Sequence, residues 1–94
     1  MVKLIARLHT QPGKADVVAA ALVELAGPSR EEPGCILYDV CRSLSDANEV
    51  LVLEEWESQA ALDAHMATPH FKAFQGKIGD ALAGGPELVL LERL

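Results

Sequence analysis

The chain has 94 residues, half of them hydrophobic and dominated by Ala, Leu and Val. That is room for one domain, residues 1–94, and more apolar side chain than one small core needs. Fourteen acids against eight scattered bases give a net charge of −6, so no Lys/Arg stripe neutralises phosphates and neither nucleic acid nor an anionic membrane is a natural partner.

Val2 to His9 alternates, with Lys3 and Arg7 on one parity and Val2, Leu4, Ala6 and Leu8 on the other, which predicts a strand. It lacks the long apolar core and cleavage site of a signal peptide. Gln11-Pro12-Gly13 breaks it. From Lys14 to Ala26, Val18, Leu22, Leu25 and Ala26 recur on one helical face, and Gly27-Pro28 is expected to end that helix before an acidic turn, Ser29 to Glu32. Pro33-Gly34 opens a second strand, Cys35 to Leu44. Ser45 to Asn48 reads as a turn into a third strand, Glu49 to Glu57, so the two form an antiparallel hairpin. Ser58 caps a helix from Gln59. Thr68-Pro69 is a fresh N-cap followed by Pro at the first helical position, and Phe71, Phe74, Ile78 and Leu82 then recur at helical spacing. Gly84-Gly85-Pro86 stops this helix, and Glu87 to Leu94 is a last strand. No apolar run approaches the ~20 residues of a transmembrane helix.

The order is therefore β-α-β-β-α-β with a broken second helix, an α+β ferredoxin-like sheet. Helices cover one face of such a sheet. Strand two offers Ile36, Tyr38 and Val40 on one face and Cys35, Leu37 and Cys41 on the other; strand three offers Val50, Val52 and Trp56 against Leu51 and Leu53. Both faces are apolar, so a second copy of the chain is the expected cover for the face without helices: a homodimer. Cys35 and Cys41 lie six residues apart in one strand, which puts them ~20 Å apart and beyond disulfide reach. Two unpaired thiols fit a reducing cytoplasm.

Phosphate loops, Cys-x-x-Cys, His-Glu-x-x-His and Gly-x-Ser-x-Gly are all missing, so phosphoryl transfer, zinc hydrolysis and serine hydrolysis have no support. What remains is concentrated between Glu54 and Phe74, which holds the only Trp, two of three His and both Phe. His65 and His70 would sit about 140° apart on an unbroken helix. Pro69 breaks it, so the rings can converge. With no third ligand nearby in sequence, a metal is not expected. Neutral imidazoles could instead deprotonate an organic ligand near pH 7, or His65 could face solvent and His70 fill a helical turn. Trp56 packs between sheet and helix, or forms an aromatic wall with Phe71 or Phe74. Tyr38 offers its hydroxyl to a ligand or to a backbone carbonyl. Arg7 and Arg42 pair either with a substrate oxygen or with Glu54, Glu55 or Asp39 across the sheet.

The passage Glu54-x-Trp56-x-Ser58, Ala61-Leu62, His65 and Thr68-Pro69-His70-Phe71-Lys72-Ala73-Phe74 resembles the antibiotic biosynthesis monooxygenase (ABM) domain, and within it the small bacterial quinol monooxygenase-type proteins. Pro33-Gly34-Cys35 with Tyr38 resembles the family's second-strand opening, and Pro12-Gly13 its first turn. The resemblance extends over almost the whole chain. It implies a dimeric α+β barrel with a cavity between sheet and helices in each subunit. It also implies a small aromatic, quinol-like substrate oxidised by O₂ with no flavin, haem or metal cofactor, the substrate anion supplying the electrons. His65 or His70 would be the catalytic base, with Tyr38, Trp56, Phe71 and Phe74 enclosing the ring and Arg7 a further substrate contact. Haem-degrading relatives use an Asn on the first strand, and Val2 to His9 contains none. Two other readings share the fold: a non-catalytic dimeric binding protein, and an oxygen-independent isomerase.

Overall fold

A computed structural model describes all 94 residues. The elements run β1 (Val2–His9), α1 (Ala15–Arg30), β2 (Cys35–Arg42), β3 (Glu49–Trp56), α2 (Gln59–Met66), α3 (Pro69–Ile78), a 3-10 turn at Gly79–Ala81, and β4 (Glu87–Leu91). The four strands form one antiparallel sheet in the order β2-β3-β1-β4, the split βαβ arrangement that the sequence pattern predicts. No helix is long and apolar enough to cross a membrane.

Alternation sets the two faces of the sheet. Leu4, Ala6 and Leu8 of β1, Tyr38 of β2, and Val50, Val52 and Trp56 of β3 are buried beneath the helices with Val18, Leu22, Leu25, Phe74 and Ile78. Ile5 and Leu53 are cross-strand partners on the opposite face, and Ile5 also pairs with Val89. Leu53, Val89 and Leu91 remain exposed there. The molecule is only 19 Å thick, the depth of one sheet and one helical layer, so nothing within the chain covers this second face.

The first helix departs from expectation. It continues through Gly27-Pro28 to Arg30 instead of stopping at Ala26. Proline at position 28 removes only the hydrogen bond to the carbonyl of Glu24, an exposed residue on the solvent side of the helix. The following turn is anchored from within. The buried Ser29 hydroxyl donates to the carbonyl of Leu25 at 2.7 Å, and the Arg30 guanidinium donates twice to the Tyr38 carbonyl, at 3.0 and 2.7 Å. The strands otherwise stop slightly short of their predicted ends, at Arg42, Trp56 and Leu91.

The break in the second helix falls at the predicted place. Ser58 accepts from the Ala61 N–H to begin α2, and Thr68 accepts from the Phe71 N–H to begin α3 with Pro69 in its first turn. Against the start of α2, Gly34 adopts φ +88°, and a Cβ placed there would lie 2.7 Å from Cβ of Ala61. Both the left-handed backbone and the close approach of α2 therefore require glycine. Gly34→Ala is expected to destabilise the fold by about 2 kcal/mol or more, read as a lowered midpoint in urea denaturation.

Candidate functional site

The turn that extends α1 delivers Glu32 to the break between α2 and α3. One oxygen of its carboxylate, Oε2, lies 2.9 Å from Nδ1 of His65 and 2.6 Å from Nε2 of His70. A carboxylate only accepts, so both ring nitrogens donate to it. In neutral His65 that leaves the lone pair on Nε2. This atom is buried and has no hydrogen-bond partner in the protein, on a residue only 1% exposed. His70 is the outer member of the trio, with its side chain 30% exposed.

Glu32, His65 and His70 also present one donor atom each within 4.8 Å of one another, a set of the kind that holds a divalent ion. Ligands of a tetrahedral ion with bonds of about 2.0–2.1 Å stand about 3.3 Å apart. At 2.6 and 2.9 Å these atoms are closed into hydrogen bonds, and Glu32 supplies the third ligand type that the sequence did not place near the two histidines.

His65 borders a cavity of about 60 Å³ between the sheet and the helices. Eleven of its fourteen lining residues are hydrophobic, and they include Leu4, Leu22, Phe71, Phe74 and Leu88. The polar residues of the wall are concentrated at one end. Glu54 and Tyr38 are paired across β2 and β3, and the Tyr38 ring lies edge-on to His65 at 5.3 Å. Trp56, with no exposed surface at all, supports this end from behind. Its ring lies 4.7 Å from that of His65, and its indole N–H donates to Oε1 of Glu54 at 3.0 Å. Burial pushes the Glu54 carboxyl up to about 7, against the pull of the Trp56 N–H and with a further upward push from the Glu32 carboxylate. Burial, then the charge on Glu54, raises the Tyr38 phenol above its ordinary value, so Tyr38 is a hydrogen-bond donor throughout the neutral range.

The structure thus brings together four of the residues singled out from sequence on the cavity wall: Tyr38, His65, Phe71 and Phe74. Trp56 lies one layer behind them, and His70 reaches them through Glu32. Arg7 is not brought there. Its odd parity puts it on the other face of the sheet, where it pairs with Glu49 at 2.8 Å. Arg42 pairs with Asp16, so neither arginine meets Glu54, Glu55 or Asp39. Sequence reasoning missed Glu32 and Glu54 as site residues. An acid on the same strand parity as Val50, Val52 and Trp56 is a readable anomaly, because carboxylates are almost never buried without a purpose or a partner. No comparable signal marks Glu32, whose partners lie 33 and 38 residues away.

Comparison with known proteins places these features in context. The family model described as antibiotic biosynthesis monooxygenase matches residues 1–77. The chain is 37% identical over 81 residues to the uncharacterised protein sll1783 of Synechocystis, aligning 86% of this chain but spanning only 55% of that protein's length. It is 31% identical over 93 residues to the Escherichia coli K12 protein named probable quinol monooxygenase YgiN, covering 87% of this chain and 89% of that one. The solved structure of Rv0793 from Mycobacterium tuberculosis superposes with a TM-score of 0.89 at 30% identity, covering 99% of this chain and 94% of that one.

The raised Glu54 carboxyl has a consequence for stability. Unfolded, Glu54 ionises near its ordinary value of 4.5; folded, it stays neutral to about 7. The native state holds an extra proton between those values, so stability falls as pH rises through this window, by about 3 kcal/mol in full. Glu54→Gln keeps an acceptor for Trp56 and removes the titration. Urea denaturation at pH 4.5 and pH 7.5 is expected to show a larger loss in the wild type than in this variant.

Proposed function

The chain belongs to the antibiotic biosynthesis monooxygenase family, and we propose that it is a cofactor-independent monooxygenase acting on a small aromatic, quinol-like substrate. The observation that carries this reading is the buried, unpartnered Nε2 of His65 beside an apolar cavity, with its tautomer set by Glu32. A phenol entering that cavity meets a histidine whose Nε2 has no partner in the protein. The fold family's name, and the quinol monooxygenase named among the relatives, support the same chemistry.

His65 Nε2 accepts the phenolic proton, and the resulting imidazolium is stabilised by the Glu32 carboxylate at Nδ1. His70 shares that carboxylate from the half-exposed side and gives the network contact with solvent. The phenolate, held among Phe71, Phe74 and Tyr38, is the electron donor to O₂. One oxygen atom replaces hydrogen at a ring carbon and the other leaves as water, so a phenol and O₂ yield a quinone and water, with two hydrogens lost from the ring compound. Water exclusion by the apolar wall keeps the phenolate reactive and limits side reactions.

Size restricts the ligand. An apolar cavity of about 150 Å³ takes up benzene, so one of about 60 Å³ admits an aromatic ring only when its border yields. Met66, with its flexible thioether, and Leu88, half exposed on β4, are the border residues whose displacement would widen it.

The reading includes a homodimer and a cytoplasmic protein. Ile5, Leu53, Val89 and Leu91 form an apolar strip on the face no helix covers, and a second copy of the same sheet is a self-complementary cover for it. Both cysteines are free thiols. Sedimentation of the wild type at twice the monomer mass, shifted to the monomer by Leu53→Lys, is the expected result; a wild-type monomer at micromolar concentration would sink the dimer.

Oxygen consumption by the metal-stripped protein with catechols and naphthoquinols is the test of the activity. Uptake above autoxidation is expected, falling 10²- to 10⁴-fold in His65→Ala, with a smaller fall in His70→Ala because His70 does not touch the cavity. Binding of the same compounds without oxygen uptake would favour a non-catalytic binding protein. Turnover without oxygen uptake would favour an isomerase.

A further inference from the structure

We propose that Glu32, His65 and His70 form a binding site for a divalent cation of the zinc class, and that occupation of this site silences His65 as a base. The site itself stands on geometry. Its effect on turnover rests on the functional reading above, as regulation of the same histidine.

Two imidazoles and a carboxylate meet at the break between α2 and α3, one ligand atom from each within 4.8 Å of the others. This donor set suits zinc and leaves a fourth position for water. Ligands about 3.3 Å apart are reached when the contacts of His65 and His70 with Glu32 lengthen by about 0.4 and 0.7 Å. The larger change falls on His70, whose side chain is 30% exposed. No Lys or Arg competes for Glu32, because its only ion-pair partners are these two histidines. The comparable cluster of His9, Asp46 and Glu49 differs on this point. There Arg7 holds Glu49 at 2.8 Å, and the Asn48 N–H is bonded to Asp46.

The consequence for His65 follows from imidazole chemistry. A neutral ring that binds an ion through one nitrogen carries its proton on the other. When an ion binds, Nδ1 of His65 gives up its proton to solvent and Nε2 gains one, so the ring stays neutral and Nε2 changes from acceptor to donor. His70 changes in the opposite sense, from Nε2–H to Nδ1–H. A phenol at His65 then meets an N–H, and its proton has no acceptor there. Histidines that hold a resident metal ordinarily have their second nitrogen fixed by a carboxylate, a carbonyl or water. Nε2 of His65 has no such partner in the protein, which suits an ion that binds reversibly.

Equilibrium dialysis of the metal-stripped full chain against zinc tests the site. One zinc per chain is expected in the wild type and in His9→Ala. Binding is also expected to survive Cys35→Ser with Cys41→Ser, since the free thiols are not ligands. Glu32→Gln and His70→Ala each weaken it by at least about tenfold, and the partly exposed His70 provides the variant to rely on if Glu32→Gln does not fold. Long-range proton–nitrogen NMR reads the tautomer directly: Nδ1–H in the metal-free His65 ring, Nε2–H with zinc bound. Oxygen uptake with naphthoquinols is expected to fall in proportion to zinc occupancy. Absence of zinc binding, binding indifferent to both variants or lost with the thiols, or a His65 Nε2 that stays unprotonated with zinc bound overturns the proposal. Uptake that persists at full occupancy also overturns it and leaves the oxygenase standing. Should the metal-stripped protein take up no oxygen, the oxygenase reading fails, while zinc binding and the tautomer still decide the proposal.

Discussion

One carboxylate oxygen shared by two imidazoles organises this molecule. Oε2 of Glu32 receives His65 from one helix and His70 from the next, at 2.9 and 2.6 Å. Charge-assisted bonds of this kind contribute about 1.5–3 kcal/mol each. Here they tie the end of α1 to the break between α2 and α3. The arrangement depends on the helix running past Pro28, because a chain turning at Ala26 would not deliver Glu32 to this place. It depends equally on Thr68 and Pro69, which restart the helix so that residues five apart can face a common partner. Local backbone chemistry at two prolines thus sets the geometry of one buried base.

Trp56 links this network to the sheet. It is fully buried, beneath the His65 ring and bonded to Glu54, so it fixes the two cavity groups that can exchange protons without reaching the cavity itself. Its role is closer to that of a support than of an aromatic wall. The wall is supplied by Phe71 and Phe74, whose rings meet at 6.2 Å. Two titratable groups with different surroundings, one oriented by a carboxylate and one pushed up by burial, are a recurrent arrangement at sites that move protons.

The sheet has two faces with different work. One carries the core and the cavity. The other carries an apolar strip bordered by ion pairs, Arg7 with Glu49 and Lys3 with Glu55. Arg7 belongs to that border, and its odd position on β1 decides the matter: a strand residue cannot serve both faces.

The sequence alone determined the order of elements, the sheet topology and the place of the helix break, because each rests on local signals: strand alternation, turn residues, and the caps Ser58 and Thr68. It also marked His65, Tyr38, Phe71 and Phe74 through spacing and resemblance. Gly27-Pro28 misled as a stop signal, since the anchors that carry α1 onward, Ser29 and Arg30, act through burial and through a carbonyl on β2. Glu54 was half legible, as an acid on a core-facing parity. Only the tertiary structure decided that Glu32 joins the two histidines, that Trp56 stands behind the cavity, and that Arg7 lies on the far side of the sheet. Those facts depend on which distant segments pack together, and a hydrogen bond between residues 33 or 38 positions apart leaves no periodicity in a sequence.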